Sequence, residues 1–407
     1  ARAAWASVKS CNSVDMGGTP SLNPFRQTYA FAHGAGNPIT AAPGQTTSQA
    51  KGRTKGMRVK DTGNPGPART ARTIDQLVDL GLAGADTRQA LEAVADQFAV
   101  AITPTVIETI ADDSDGPVAR QFVPDARALE IAPGERDDPI GDAALEAVKG
   151  IVHRYPDRVL LNAVRVCAVY CRYCFRRADI GPGTKALNAA ELDAALDSIR
   201  AHGEIWEVIL SGGDPLLLKP ATITRIARTL GEMAHVGTMR VHTRLPIVAP
   251  ERIDEAMIRA LTVKRPTYVV VHVNHADEMT PAVEAACGRL ADAGIPLLSQ
   301  SVLLRGVNDD AAVLTRLVRQ LIETRIKPDY LHHLDQAKGT SHFRVPIAEG
   351  RELMRQMRGN VSGLCQPTYV LDLPGGHGKV PIGPDYLEAG DGQCSVTDPT
   401  GCRHRLD

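Results

Sequence analysis

Three cysteines stand close together in one segment of the chain, where their thiolates could hold iron. Cys167, Cys171 and Cys174 have the spacing C-x3-C-x2-C. Thiolates on such a tight loop can bind three irons of a [4Fe–4S] cluster, and no fourth cysteine follows nearby to bind the last iron. That iron is then open to a substrate or a cofactor, as a catalytic cluster requires.

Two other roles of these cysteines, in a zinc site or in disulfides, have less support from the sequence. A zinc site usually takes two pairs of Cys or His ligands to complete a tetrahedron, and no second pair stands near. Disulfides are typical of short secreted chains, whereas this chain has 407 residues and only eight cysteines. The spacing therefore favours an iron–sulfur cluster over a zinc site or a disulfide framework.

Two glycine-rich segments are candidates for ligand contacts. In SGGDP, the residues Gly212, Gly213 and Asp214 could bring backbone and polar atoms close to a ligand, or could simply form a turn. The segment PGGHGK ends at Lys379, whose amine could form a Schiff base with pyridoxal phosphate (PLP). A solvated loop lysine is the alternative, and a P-loop is excluded because Val380 follows.

The elements that must position these residues belong to a chain of ordinary globular composition. Hydrophobic residues make up 43% and charged residues 23%, and the formal net charge of −1 gives no general attraction to nucleic acid or anionic membranes. No run of about 18 apolar residues predicts a membrane span, and the first residues lack the order of a secretory signal. The cysteine pattern fits a reducing compartment, so we predict a cytoplasmic location.

Composition and periodicity divide the chain into four regions, 1–70, 71–155, 156–380 and 381–407. The first is rich in Gly, Pro, Ser, Thr and Ala and predicts a disordered extension, in which Met57 could be the natural start. The second predicts a small helical domain whose last helix lies near 141–153. The third is an α/β region, and the fourth is a C-terminal tail.

Strand-like and helix-like segments alternate in the third region. The strands are near-continuous apolar runs at 159–164, 206–211, 239–243, 268–273, 297–304 and 330–334, with a further run at 367–373. The helical segments lie at 190–202, 221–234, 251–262, 281–293 and 311–324. Such alternation predicts parallel strands covered by helices, here an open (β/α)6 partial barrel with its chemistry at the carboxyl ends of the strands.

The chain resembles the lysine 2,3-aminomutase family, radical S-adenosylmethionine (SAM) enzymes that also use PLP. The similar stretches span residues 150–385 and include CAVYCRYCFRRADIG, ILSGGDPLLL, TRLPIVAPERI, VVHVNHADEMT and VLDLPGGHGK. The resemblance implies an isomerase with a radical SAM barrel and a [4Fe–4S] cluster on the three cysteines. It further implies SAM bound near Gly212, Gly213 and Asp214, and PLP bonded to Lys379.

The resemblance also implies how a substrate binds. Arg176, two residues after the last cluster cysteine, would pair with the α-carboxylate of an amino acid. Asp335 and Asp372 each follow a predicted strand and match the two acids that bind the distal ammonium of lysine in this family. Structural ion pairs or helix caps are the alternative for these two acids. We therefore predict a 1,2-amino shift from L-lysine to β-lysine, with a flavodoxin or a ferredoxin as reductant.

Three alternatives stay open. The substrate could be arginine or another basic amino acid, because two carboxylates can also receive a guanidinium. The chain could be a radical SAM enzyme without PLP that modifies a macromolecule. It could also be a non-enzymatic iron–sulfur or zinc-binding module.

The sequence departs from the family pattern in its cysteines and in its glycine loop. Asp310 follows GVND where lysine-degrading members carry a zinc-binding cysteine, and the tail keeps only Cys394 and Cys402, so we predict no zinc site and leave a homo-oligomer open. His377 stands where a glycine is usual, which could change the conformation of the loop. CRYCFRR and the short tail resemble the branch that modifies translation elongation factor P, but the retained Asp372 and PGGHGK argue against that branch.

Overall fold

A computed structural model describes residues 69–181, 183–390 and 393–406. The predicted extension 1–70, with Met57, lies outside the described residues except for its last two positions. Within the described ranges the strands are β1 Glu146–Val148, β2 Ile151–Tyr155, β3 Arg158–Val164, β4 Glu207–Gly212, β5 Thr238–Thr243, β6 Thr267–His272, β7 Leu297–Val302, β8 Ile326–His332, β9 Thr368–Asp372, β10 Lys379–Pro381, β11 Leu387–Gly390, β12 Gln393–Thr397 and β13 Arg403–Leu406. The helices there are α1 Ile74–Asp79, α2 Arg88–Gln97, α3 Pro104–Ile110, α4 Ala189–Ala201, α5 Pro220–Glu232, α6 Leu245–Val248, α7 Glu255–Leu261, α8 Pro281–Asp292, α9 Ala311–Glu323 and α10 Ile347–Met357.

One large sheet carries its strands in the order of the chain, from β1 to β10. Strands β3 to β9 are parallel, whereas β1 and β2 at one edge and β10 at the other edge pair antiparallel. Helical segments connect each strand from β3 to β8 with the next one, which gives six β/α units followed by β9. The predicted (β/α)6 partial barrel is confirmed, and the apolar run at 367–373 is its additional strand.

Helix α9 packs on the sheet through an apolar stripe and begins at a capping residue. In α9 the buried residues Leu314, Leu317, Val318 and Leu321 follow the helical period. Asp310, at the position of the family's zinc cysteine, accepts hydrogen bonds from two backbone N–H groups of the first turn and so caps this helix. Within the described ranges, no helix combines the length and the apolar character needed to cross a bilayer.

Helices α1 to α3 share one hydrophobic core with the barrel. Leu77, Ile102 and Phe122 from the N-terminal region are buried in the same cluster as Leu161 and Leu210 of the sheet. Removing this apolar surface from water stabilises the contact between the two regions. The domain boundaries drawn from the sequence stay predictions.

The helix predicted near 141–153 is wrong. Residues 143–145 form a single 3-10 turn, and β1 and β2 follow as a hairpin through Gly150, whose φ is +86°. Strand β2 pairs with β3, which places Val152 opposite Leu160. Helix-forming residues thus yield to sheet pairing, which buries Ile151 and Val152 on the two faces of β2.

The predicted C-terminal tail contains a sheet of its own. Strands β11, β12 and β13 pair antiparallel in sequence order, apart from the large sheet. This sheet is hard to predict from the sequence, because its strands are short and β13 is exposed along its length.

Candidate active site

A cavity of about 580 Å³ opens inside the sheet toward the carboxyl ends of its strands. Every strand from β2 to β10 contributes side chains to its wall. All the predicted site residues line this one cavity, namely Cys167, Cys171, Cys174, Arg176, Gly212, Gly213, Asp214, Asp335, Asp372 and Lys379. The fold therefore collects these residues from distant parts of the chain, while their individual roles stay predictions.

The three cysteines lie on the loop after β3 and are partly buried at one end of the cavity. Burial raises the pKa of Cys167, and it raises the pKa of Cys174 to about 11, so both thiols are protonated until a metal displaces the protons. Among the described residues, no three His, Cys, Asp or Glu side chains are placed to share one metal ion. A [4Fe–4S] cluster makes a different demand, because each thiolate binds its own iron. Three thiols that face one cavity fit this demand.

The GGD segment packs against the backbone that leads into the cysteine loop. The N–H of Asp214 donates to the carbonyl of Val166 at 3.0 Å. A Cβ on Gly213 would lie 2.4 Å from the same carbonyl oxygen, so only glycine fits there. The carboxylate of Asp214 accepts hydrogen bonds from Oγ1 of Thr243 at 2.7 Å and from the N–H of Arg244 at 2.8 Å. Because this side chain is occupied within the protein, we expect contacts between this segment and SAM to come from backbone atoms.

Arg244, which the sequence analysis did not single out, supports the cysteine loop from the barrel. Its guanidinium donates to Sγ of Cys171 at 2.8 Å, to Oε2 of Glu278 at 2.6 Å and to Oε1 of Gln121 at 2.7 Å. Arg244, Glu278 and Gln121 are all buried, and the carboxylate compensates for the buried charge of the guanidinium. This network joins the N-terminal region, the barrel and the cysteine loop.

Lys379 and Asp372 face each other across the hairpin of β9 and β10. They are partners in the antiparallel ladder, so their side chains lie on the same side of the sheet, toward the cavity. The ammonium of Lys379 forms an ion pair with Asp372, and its Nζ lies 3.2 Å from Nδ1 of His332. Burial acts to raise the pKa of Asp372, but the contacts with His332 and Lys379 outweigh burial and hold that pKa well below its usual range.

The turn of this hairpin depends on three glycines. Gly375, Gly376 and Gly378 have φ angles of +80°, +83° and +94°, in the region that other residues rarely adopt. His377 is not among the residues with positive φ. The histidine therefore occupies a position where the backbone does not require the family's usual glycine.

Asp335 lies in the loop after β8 and lines the same cavity as Asp372. Burial and the negative charge of Asp372 raise the pKa of Asp335 to about 7, although Lys379 and Arg176 act in the opposite direction. The charge of Asp372 therefore opposes the ionisation of Asp335 unless a cation binds near both carboxylates. The pair is thus suited to a positively charged ligand.

Arg176 is held on the cavity wall by Asp142. Its Nη2 donates to Oδ2 of Asp142 at 2.7 Å, and Nη2 of Arg154 donates to Oδ1 of the same carboxylate at 2.8 Å. Nη1 of Arg154 in turn lies 3.9 Å from Oδ1 of Asp372. Positive and negative charges therefore alternate along the wall, from Arg176 through Asp142, Arg154 and Asp372 to Lys379.

Comparison with known proteins decides the family. Residues 161–317 match the family model of the radical SAM superfamily, and residues 354–396 match that of lysine-2,3-aminomutase. The L-lysine 2,3-aminomutase of Clostridium subterminale is 40% identical over 305 residues, which are 74% of this chain and 73% of the relative. A putative L-lysine 2,3-aminomutase of Aquifex aeolicus is 41% identical over 295 residues, 72% of this chain and 79% of the relative.

The chain belongs to the lysine 2,3-aminomutase family. It is therefore a radical SAM isomerase, with a [4Fe–4S] cluster and SAM as cofactors. The family is not uniform in substrate, since the glutamate 2,3-aminomutase of Clostridioides difficile is 36% identical over 302 residues, 74% of this chain and 71% of the relative. Membership in a family of enzymes leaves no support for a non-enzymatic metal-binding module.

Four side chains of the aminomutase cavity were missed by the sequence analysis, namely Asp142, Arg154, Arg244 and His332. His332 could have been found, because it alternates with Tyr330 along a strand whose end carries the site. Asp142 could not, because its segment was expected to be helical and its partner Arg176 lies 34 residues further along the chain.

Proposed function

We propose that this aminomutase converts L-lysine to β-lysine by moving the α-amino group to Cβ, with PLP bonded to Lys379. The observation that carries the proposal is the pair of acids, Asp335 and Asp372, in one cavity with Lys379 and Arg176. When bound, the cluster and SAM supply a radical that takes hydrogen from Cβ, and PLP supplies the conjugated ring on which the nitrogen migrates. The side chains of the protein bind the substrate, orient it and exclude water.

Lys379 suits PLP because its amine lies inside the cavity, beside groups that suit the rest of the cofactor. Arg154, Arg158 and Arg240 line the same cavity and provide positive charge for a phosphate group. The ring of Tyr330, with its centre 5.5 Å from Nζ of Lys379, offers an aromatic surface to a flat pyridine ring.

The ion pair of Lys379 supports a site for the side chain of lysine. The ammonium of Lys379 is chemically the same group as the distal end of L-lysine, and it binds Asp372. Once the nitrogen of Lys379 is bonded to PLP, Asp372 and Asp335 could bind the ammonium of the substrate instead. The distal carboxylate of glutamate would be repelled by both acids, which favours a cationic substrate for this family member.

Arg176 supports a site for the other end of the substrate. One arm of its guanidinium is bound to Asp142, while Nη1 makes only a long contact of 3.4 Å with Oγ of Ser211. A carboxylate could take the place of that long contact with a charge-assisted hydrogen bond. An amino acid held at both ends would keep Cβ in one position for hydrogen transfer.

The test is an anaerobic assay of the reconstituted protein with PLP, SAM and a strong reductant. L-Lysine, L-arginine and L-glutamate are supplied separately, and the products are resolved by chromatography with mass detection. Conversion of lysine to β-lysine without stoichiometric loss of SAM supports the proposal. Conversion of arginine alone favours the basic-amino-acid alternative, and conversion of glutamate alone contradicts the assignment of the two acids.

Release of 5′-deoxyadenosine with no amino acid product and no bound PLP would favour a PLP-free modifying enzyme.

A flavodoxin or ferredoxin reductant, a homo-oligomeric state and a cytoplasmic location stay predictions.

A further inference from the structure

His332 touches both partners of the ion pair between Lys379 and Asp372. Nδ1 of its ring lies 3.2 Å from Nζ of Lys379 and 3.3 Å from Oδ2 of Asp372. The residue ends β8, and its ring is largely buried and faces the cavity. Three titratable groups therefore meet within hydrogen-bond distance around one nitrogen.

The ion pair is an obstacle to bonding with PLP. An ammonium group has no lone pair, so Lys379 must lose a proton before its nitrogen can attack an aldehyde. Asp372 is a poor acceptor, because its pKa lies well below the usual range. Burial and the charge of Lys379 lower the pKa of His332 and so disfavour its charged form. In the neutral tautomer with the hydrogen on Nε2, Nδ1 donates nothing to Asp372, and its lone pair can accept the proton of Lys379.

We propose that His332 is the base that accepts the proton from Lys379 when PLP binds, an inference that rests on the proposed function. The proton moves from Nζ to Nδ1, and the lone pair left on Nζ forms a bond to the aldehyde carbon of PLP. The aldehyde oxygen then leaves as water, with the proton from Nδ1 and a second proton from Nζ. One proton stays on the nitrogen of the imine, and His332 ends neutral.

This transfer also changes what Asp372 binds. While Nδ1 carries the proton it can donate to Oδ2 of Asp372, so the carboxylate keeps a cationic neighbour during the step. Once Lys379 is bonded to PLP, the carboxylate of Asp372 no longer pairs with the ammonium of Lys379. It can then bind the distal ammonium of the substrate. The titratable and charged groups that face His332 are Lys379, Asp372, Asp329, Tyr330, His242 and His272.

The test follows the visible absorbance of the imine after PLP is mixed with the full-length, PLP-free protein, from mildly acidic to alkaline pH. His332→Gln is compared with His333→Gln, the next residue along the chain, whose Nδ1 is 2.8 Å from the hydroxyl of Tyr369 away from the cavity wall. His332→Gln should form the imine about 100-fold more slowly at neutral pH. Its rate should recover at alkaline pH, where hydroxide can accept the proton instead of the imidazole, and His333→Gln should behave like the unmodified protein.

Equal imine formation in His332→Gln and His333→Gln at every pH would overturn the inference. His332→Asn is a second variant that should be equally slow, and thermal unfolding curves identify any variant that does not fold. Borohydride reduction followed by mass analysis shows whether PLP is bonded to Lys379. A protein that forms no imine in any variant would overturn the proposed PLP site and this inference with it, a result distinct from equal rates.

Discussion

Nη2 of Arg176 donates a hydrogen bond to Oδ2 of Asp142 at 2.7 Å. This contact joins Arg176, the residue proposed to bind the carboxylate of the substrate, to a loop of the N-terminal region. The loop is fixed by Asp138, whose carboxylate accepts hydrogen bonds from the N–H groups of Gly141 and Asp142. It also packs on the hairpin of β9 and β10, since a Cβ on Gly141 would lie 2.8 Å from the backbone of Gly375. One short loop therefore supports both the arginine and the hairpin that presents the proposed PLP lysine.

We expect Asp142→Asn to raise KM for lysine about tenfold, because Arg176 loses the charged hydrogen bond that orients its guanidinium. The change in kcat should be smaller, since Asp142 does not bind the reacting atoms. Asp137→Asn is the matched control, because Asp137 is exposed and pairs with Lys338 at 2.6 Å. Steady-state kinetics of both variants test this, and an unchanged KM in Asp142→Asn would refute the positioning role.

Asp335→Asn and Asp372→Asn should each raise KM for lysine about 100-fold, because a buried ammonium would lose a charged partner. The loss should be specific to the distal charge. L-Norleucine, which lacks the distal ammonium, should therefore inhibit both variants as well as it inhibits the unmodified protein. If KM for lysine is unchanged in both variants, these acids do not hold the ammonium.

Asp335 should make the PLP-free protein less stable as the pH rises. Its pKa is about 7 in the folded chain, against 3.8 for an ordinary aspartate, because burial and Asp372 disfavour its charge. Between these values the folded state keeps a proton that the unfolded state releases, so the free energy of unfolding falls as the pH increases. Asp335→Asn should therefore match the unmodified protein below 3.8 and be the more stable of the two above 7. Urea unfolding at both ends of this range checks the sign, and a variant that is less stable at both ends contradicts it.

Gly213→Ala should lower the free energy of unfolding by about 1–3 kcal/mol and weaken SAM binding. The added Cβ would lie 2.4 Å from the backbone oxygen of Val166 and push the GGD segment away from the cysteine loop. Gly203→Ala is the control, because nothing lies within 4 Å of a Cβ at that position, and it should change stability by less than about 1 kcal/mol. Urea unfolding and calorimetric titration with SAM measure both effects, and equal behaviour of the two variants would show that the close packing does not matter.

The barrel can be predicted from the sequence because parallel strands with two covered faces leave near-continuous apolar runs. The run at 268–273 corresponds to β6 at Thr267–His272. The same reasoning places Asp335 and Asp372 near the carboxyl ends of neighbouring strands, since Asp335 follows β8 and Asp372 is the last residue of β9. Spacing along the chain was enough for this part of the site.

The features that were missed depend on contacts between distant segments. The residues near 141–153 include Ala, Leu and Glu, which favour a helix. In the structure they form β1 and β2 instead, because β2 pairs with the otherwise unpaired side of β3. Alternation along β8 can indicate that His332 faces the cavity, but it cannot indicate the contact with Lys379, which lies 47 positions further along the chain. The strands can be predicted from local sequence, whereas these contacts between residues depend on the order in which the strands pair.

The site requires a fixed number of residues in the turn between β9 and β10. Lys379 and Asp372 are direct partners on the two sides of the turn 373–378, and neighbouring residues of a strand face opposite sides of a sheet. His377 illustrates that composition can vary where φ is not positive. Adding or removing one residue would instead turn either the lysine or the acid away from the cavity. In the gene, an in-frame loss of a single codon from this turn would therefore do more harm than most missense changes within it.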